Sequence, residues 1–479
     1  KYSYQEARTL LEDIKTRNQR LFSCQFVMLL NCASKEELEE LERRAINVAK
    51  KHNLNLGAIY FLQEAGFQSA LPLCYSRLPI ERTLTTSAAA SFIPFTSMEL
   101  NHRTKNSIYY GINGISGNLL RCDRVLLLNP TGWIFGKPGS GKSFKCKEEM
   151  LMFLLMNPNV DVIVIDPEME YVHLAKLKGI DGTIVELNNT SGNFLNPLDG
   201  EIEDKDFLAS KVEFCQAMTA CIVGDRQMTP GVISLVDRCA RYVYGRYSEQ
   251  VTQSKKDGSS QSLKVPTFTD FYHEMKKIQD TEAQAVAKAM EIYVEGTNNF
   301  FAKESNVDIK NRYTVYVTRD LPSSMKPLAM LVVLESLWQR MVSNFYQGKI
   351  SCVYIDEITT LFSSSYCLDF FSILWKRARK YNAILTGITQ NPEELLSNMA
   401  TRTMVSNSEF VLMMNQSASD RECLQELFNI SEDQMAFIAN GEEGSGLLYN
   451  GKAVIPFTDN FPKDTELYRA MTTKPDERN

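Results

Sequence analysis

Seven short apolar runs, each giving way to polar residues, recur along the chain at 133–135, 160–165, 183–187, 313–317, 352–355, 383–388 and 410–414. Helix-period segments separate several of them. The pattern predicts near-continuous buried strands alternating with helices, hence an α/β domain with a parallel sheet covered on both faces. Between about 201 and 308 the strand signal stops. Residues 207–222 are helix-periodic, Thr229-Pro230 supplies a cap and a first-turn proline for a helix toward Tyr244, and 281–294 are helical again. Residues 253–262, rich in Ser, Gly, Gln and Lys, predict a mobile linker. Pro322 then precedes a long amphipathic helix over 324–346. The chain before residue 125 reads differently. It has a strand-like run at 22–30, a helix opened by a Ser34/Glu37 capping box and reaching His52, and a returning strand at 54–62. The predicted organisation is a smaller α+β docking domain at 1–124, an α/β domain over 125–200 and 309–479, and an all-α insertion at 201–308.

The chemistry is concentrated where the first of these strands ends. Residues 136–143, Gly136, Lys137, Pro138, Gly139, Ser140, Gly141, Lys142 and Ser143, fit the pattern G-x-x-x-x-G-K-[ST]. Glycines in such a loop let backbone N–H groups point inward at phosphates, and the helix behind adds its positive end. Residues 133–135 supply the strand before the loop, and Phe144 opens the helical stretch after it. Lys142 is expected to reach the β- and γ-phosphates of ATP, and Ser143 to offer its hydroxyl to Mg²⁺. Two strands end in Asp, at Asp166 and Asp356, and only Asp356 is followed at once by an acid, Glu357. An Asp on the metal side beside a Glu able to take a proton from water is the pairing that hydrolysis needs, so Asp356 is assigned to the metal and Glu357 to the base. For Asp166-Pro-Glu168-Met-Glu170 two roles stay open: capping the following helix, or touching metal-bound water or a neighbouring subunit's site. Gln390 ends a further strand, where a neutral amide can hold water near the γ-phosphate. Arg377 and Arg379 precede that strand as candidates for an arginine finger across a subunit interface, for contact with a polymer, or for a merely solvated basic face. Arg319-Asp320 is a weaker candidate.

Composition narrows the setting. A chain of 479 residues suggests two or three domains, and 44% hydrophobic with 23% charged residues is a globular balance. A formal charge of −6 argues against a duplex-DNA coat while leaving room for a local basic channel. No apolar run approaches the roughly 18–20 residues that cross a bilayer; the best, 328–334, is interrupted by Glu335. Lys1 stands where an initiator Met would be, with no signal peptide after it, so an excised piece is expected. Eleven unpatterned cysteines fit a reducing compartment, and four scattered histidines give no zinc pattern.

The phosphate loop, the 166–170 block, Asn196-Pro197, Asp356-Glu357, the 377–381 segment and Gln390 occur in one order. That ordered set resembles the VirB4/TraC family of conjugation and type IV secretion ATPases, relatives of the HerA/FtsK motors. The helical insertion, the stretch at 91–95 and the closing 441–449 resemble it too. The resemblance implies a RecA-like P-loop motor using ATP and Mg²⁺, with nucleotide held by residues 136–144 and Glu168. It implies a homo-oligomer, a hexamer when active, in the cytoplasm and peripheral on the inner face of a bacterial cell membrane. Its partners would be other secretion-channel components, with DNA or a relaxase–DNA complex as substrate. Under the same resemblance Arg402 and Arg421 remain further candidates for the trans arginine. A DNA translocase or coupling protein of the same superfamily is an alternative reading, and an ATP-gated scaffold with little turnover is another.

Overall fold

An apolar run becomes a strand only where a neighbour takes up its backbone N–H and C=O groups, and that condition separates the two ends of this chain. The computed structural model describes residues 19–72, 75–92, 98–188, 190–200, 207–257, 264–307, 309–322, 324–363 and 365–477, with residues 4, 10, 11, 14 and 15. It divides into two compact units, Lys1–Thr96 and Ser97–Asn479. In the first, only β1 (Leu21–Cys24) forms from the run expected at 22–30, antiparallel to β2 (Arg82–Thr85). The strand expected at 54–62 is not formed: Tyr60 and Phe61 are exposed, and Phe61 adopts a left-handed φ of 60°, which interrupts extended pairing. The helix Lys35–Lys51 starts as expected, the Ser34 side chain accepting the Glu37 N–H at 3.2 Å, without the reciprocal bond of a full capping box.

The second unit is built on one 11-stranded sheet. Its strands are β3 (Ile108–Asn113), β4 (Leu119–Cys122), β5 (Gly132–Phe135), β6 (Val160–Asp166), β7 (Thr183–Glu186), β8 (Tyr313–Val317), β9 (Ile350–Ile355), β10 (Ala383–Thr389), β11 (Phe410–Met413), β12 (Ser445–Tyr449) and β13 (Val454–Thr458). Their order is β4-β3-β13-β12-β11-β5-β10-β9-β6-β8-β7. From β11 to β7 all neighbours are parallel, and these seven strands are the seven apolar runs. β12, β13, β3 and β4 extend the sheet as antiparallel neighbours. The boundary expected at residue 124 therefore falls after Thr96, because β3 joins this sheet with Asn113 opposite Phe457.

Side-chain alternation sends successive residues to two cores. Ile134, Val162 and Val164 pack with Cys146, Met150 and Phe153 of the helix Lys142–Met156. Trp133, Phe135, Ile163 and Ile165 face the other way, into one cluster with Phe214, Met218, Phe271 and Met290 of the segment expected as an insertion. That segment carries the helices Phe207–Val223, Pro230–Asp257, Phe268–Lys277 and Thr281–Val294, with no strand among its described residues. Its helices share their core with the sheet. The helix from Pro230 continues to Asp257, so 253–257 of the expected linker are helical. Residues 258–262 of that linker, and 93–95 of the stretch at 91–95, lie outside the described residues.

Candidate active site

Parallel strands bring their carboxyl ends to one edge, and there the sequence candidates collect. β10 lies between β5 and β9, with Thr389 opposite Phe135 and Gly387 opposite Ile355. The phosphate loop, Gln390 and Asp356-Glu357 thus leave adjacent strands side by side. Gly387 permits the close packing: a Cβ there would lie 2.5 Å from the Trp133 ring. The loop bends through left-handed φ values of 77° at Gly139 and 90° at Gly141, where an L side chain would be strained. Gly141 caps the helix Lys142–Met156, whose first N–H groups point into the loop.

Lys142 is buried and its Nζ lies 3.3 Å from Glu357 Oε1 and 3.8 Å from Asp356 Oδ1. Gln390 Nε2 donates to the same Glu357 oxygen at 2.6 Å. Glu357 adopts a left-handed φ of 45°, uncommon for a non-glycine residue, and its N–H donates to Asp356 Oδ1 at 3.0 Å. Lys142, Asp356, Glu357 and Gln390 thus form one contact network. Burial, with Glu357 and Glu170 adding to it against the pull of Lys142, pushes Asp356 up to about 7.

That shift has a consequence for stability. The folded chain holds the Asp356 proton more tightly than the unfolded chain does, so this group destabilises the fold as pH rises from about 4 through 7. We expect Asp356→Asn to remove that decline and to leave the nucleotide-free protein more stable at pH 8, by up to about 4 kcal/mol. Denaturant unfolding across pH measures it.

Asp166 is a backbone cap: its two oxygens accept the N–H groups of Glu170 at 3.0 Å and Tyr171 at 2.8 Å. Burial raises its pKa, against those two bonds. Glu168 is exposed and, with Glu170, His173, Lys176 and Arg319, lines an open cavity that includes none of Lys142, Asp356, Glu357 or Gln390. Arg377 and Arg379 are exposed just before Ala383, where β10 begins, at the sheet edge opposite the phosphate loop. They do not join the site of their own chain. Arg402 pairs with Glu426 and Arg421 donates to the Gln416 carbonyl.

Sequence reasoning missed the support behind the loop. The Gly444 N–H donates to the Ser140 carbonyl at 3.4 Å, and Asp459 N–H to the Gly444 carbonyl at 2.9 Å. Lys145 in the helix after the loop is buried between Glu148 at 2.7 Å and Asp459 at 2.5 Å. The run of glycines at 441, 444 and 446 was the available signal, with Gly444 at a φ of 85°.

The residues fit a magnesium nucleotide. The Ser140 hydroxyl is buried with no hydrogen-bond partner, at a loop whose glycines and helix end suit phosphate. Ser143 and Asp356 are the residues that would hold the metal. No three His, Cys, Asp or Glu side chains among the described residues converge to chelate one unaided.

The TraG P-loop domain family matches residues 120–449. No curated protein sequence matches the chain. Among solved structures, VirB4 of Thermoanaerobacter pseudethanolicus is similar at 21% identity and a TM-score of 0.63, over 76% of this chain and 98% of that one. The conjugative coupling protein TrwBΔN70 is a weaker likeness, at 13% identity and a TM-score of 0.46, over 77% and 92%. A match over more than half of the chain, on the residues that form the site, fixes the assignment. The chain belongs to the TraG P-loop domain family, and its fold is the one seen in VirB4.

Proposed function

We propose that this chain hydrolyses Mg²⁺–ATP as a hexamer and uses the energy for channel assembly or for transfer of DNA or protein through a secretion channel. The observation that carries the proposal is the shared contact of Lys142 and Gln390 on Glu357. Lys142 exchanges its carboxylate partners for β- and γ-phosphate oxygens when ATP enters. Glu357, released from Lys142 and held by Gln390, takes a proton from water as the water oxygen attacks the γ-phosphorus and the bond to the bridging oxygen breaks. Magnesium supplies charge neutralisation of the phosphates, with Ser143 and Asp356 as its protein side.

The oligomeric part of the proposal rests on an arginine supplied in trans. Among the described residues no arginine hydrogen-bonds or ion-pairs with Lys142, Asp356, Glu357 or Gln390. In this reading Arg377 or Arg379, both exposed, serves the site of a neighbouring copy. No helix of the described residues is long and apolar enough to cross a membrane, and we place the chain peripherally on the inner face of a bacterial cell membrane beside other secretion components.

The test is ATP turnover across protein concentration, for the wild type and Lys142→Ala. Specific activity should rise steeply as subunits complete one another's sites, and Lys142→Ala should sit at the blank. Constant specific activity from a monomer would sink the trans arginine, and wild-type turnover in Lys142→Ala would sink the site.

A further inference from the structure

Two of the eleven cysteines, far apart in the chain, meet where the helical segment touches the link between Glu357 and Gln390. After Glu357 the chain runs through the 3₁₀ helix Ile358–Ser363 into the helix Ser365–Ala378, then to β10 and Gln390. Ser365–Ala378 therefore belongs to the covalent connection between two residues that share a hydrogen bond in the site. It is packed on two fronts. Trp375 lies 4.8 Å from Trp133 of β5, and Phe370 lies 6.1 Å, edge to face, from Phe214 of the helix Phe207–Val223. Cys221, in the last turn of Phe207–Val223, and Cys367, in the first turn of Ser365–Ala378, bring their sulfurs to 3.5 Å. The step from the phenylalanine pair to the cysteine pair runs forward along one helix and backward along the other. The two helices thus lie antiparallel and touch at both points.

A disulfide holds its sulfurs about 2 Å apart, so roughly 1.5 Å of side-chain movement would close this contact into a bond. The two thiols differ in access. Cys367 is 1% exposed and its thiol donates to the Pro327 carbonyl at 3.6 Å, whereas Cys221 is half-buried. A small oxidant arriving from solvent meets Cys221 first.

We propose that Cys221 and Cys367 are a redox-active pair, joined by a hydroperoxide into an intrachain disulfide that latches the helical segment to the Glu357–Gln390 connection. The Cys221 thiolate attacks one peroxide oxygen, the O–O bond breaks and the other oxygen leaves as hydroxide, making a sulfenic acid. The Cys367 thiolate then attacks the Cys221 sulfur, and the S–O bond breaks with loss of a second hydroxide. The two thiol protons convert both hydroxides to water. In sum, two thiols and one hydrogen peroxide give one disulfide and two waters, with two electrons passing from sulfur to oxygen. The bond closes the chain over a separation of 146 residues, a stretch that holds Asp356 and Glu357. So long a closure stabilises the fold chiefly by restricting the unfolded chain. Thiol reductants reverse it, as redox-sensing disulfides of reducing compartments require.

The test exposes the reduced full chain to hydrogen peroxide, digests it without reductant and identifies crosslinked peptides by mass spectrometry, with melting temperatures before and after. Wild type should yield the Cys221–Cys367 peptide pair, lose it in dithiothreitol, and melt a few degrees higher when oxidised. Cys221→Ser should abolish the crosslink and leave Cys367 reduced. Cys367→Ala should instead let dimedone, which labels sulfenic acids, accumulate on Cys221. No crosslink in peroxide-treated wild type overturns the inference, as does Cys221 joined to another cysteine or carried on to sulfinic acid. A crosslink that fails to raise the melting temperature also overturns it, because the sulfurs would then meet only by distorting the helices. The wild-type readings stand whether or not either variant folds, and none of them depends on the nucleotide site.

Discussion

Replacing Glu357 with Gln slows ATP turnover by about 10²–10⁴-fold, the usual worth of a positioned general base, while ATP binding is kept or tightened. The substitution leaves most of the site in place. Gln keeps a carbonyl oxygen where Glu357 Oε1 accepts from Gln390 at 2.6 Å, so the tie between the β9 and β10 edges survives. It keeps a side chain of the same length on a backbone already set at a φ of 45°. What goes is the negative charge, and with it the capacity to take a proton from water. Removing that charge also frees Lys142, whose Nζ is otherwise held at 3.3 Å, so the lysine meets phosphate without first breaking an ion pair. The expected signature is nucleotide retained on the protein after purification or filtration, with phosphate release close to the blank. Wild-type phosphate release from Glu357→Gln would move the base elsewhere in the site. Loss of ATP binding would make the Glu357 contact structural, and either result is read in one filter-binding and one phosphate assay.

The same residues show what a sequence can disclose. The seven parallel strands were legible because burial on both faces leaves an unbroken apolar run, as in Val160–Asp166, and such a run needs no knowledge of its partners. The phosphate loop and Asp356-Glu357 were legible because their chemistry demands residue types at strand ends. The antiparallel strands were not. Ile108–Asn113 mixes Gly111 and Asn113 into its apolar residues and is bulged against β4 between Tyr109 and Gly111, and the partner that joins it to the main sheet lies more than 300 residues away at Phe457. The inverse error occurred at 54–62, where an apolar run found no strand partner. Within the 166–170 block the spacing was visible but the direction was not. How the chain turns there depends on the Met169 backbone and the Asp166 cap, and both are tertiary outcomes.

Arg124→Ala should be the most destabilising single change on the sheet's loop-facing side, by about 3–5 kcal/mol, because it strands a buried carboxylate. Arg124 is 1% exposed, and each part of its guanidinium is used. Nη1 donates to Glu149 at 2.9 Å and to the Thr386 hydroxyl at 2.8 Å, and Nε and Nη2 donate to the Pro130 carbonyl at 3.1 and 2.8 Å. Its Cζ lies 4.3 Å from the Phe410 ring centre, and a Cβ on Gly132 would fall 2.7 Å from its Nη2, which is why β5 can open only with glycine there. The pair therefore ties the helix behind the phosphate loop to β10 and to the turn before β5. After truncation, Glu149 keeps only the Tyr110 hydroxyl, at 2.8 Å, against the cost of burying its charge. A double variant separates the two contributions. Arg124→Met with Glu149→Leu removes both charges at similar volume and should recover most of the loss, since a buried pair is worth little net but its broken half is expensive. Denaturant midpoints for the single and double variants decide it. If the double variant is as unstable as Arg124→Ala, the loss comes from packing against Phe410 and Pro130, and the stranded carboxylate is not its cause.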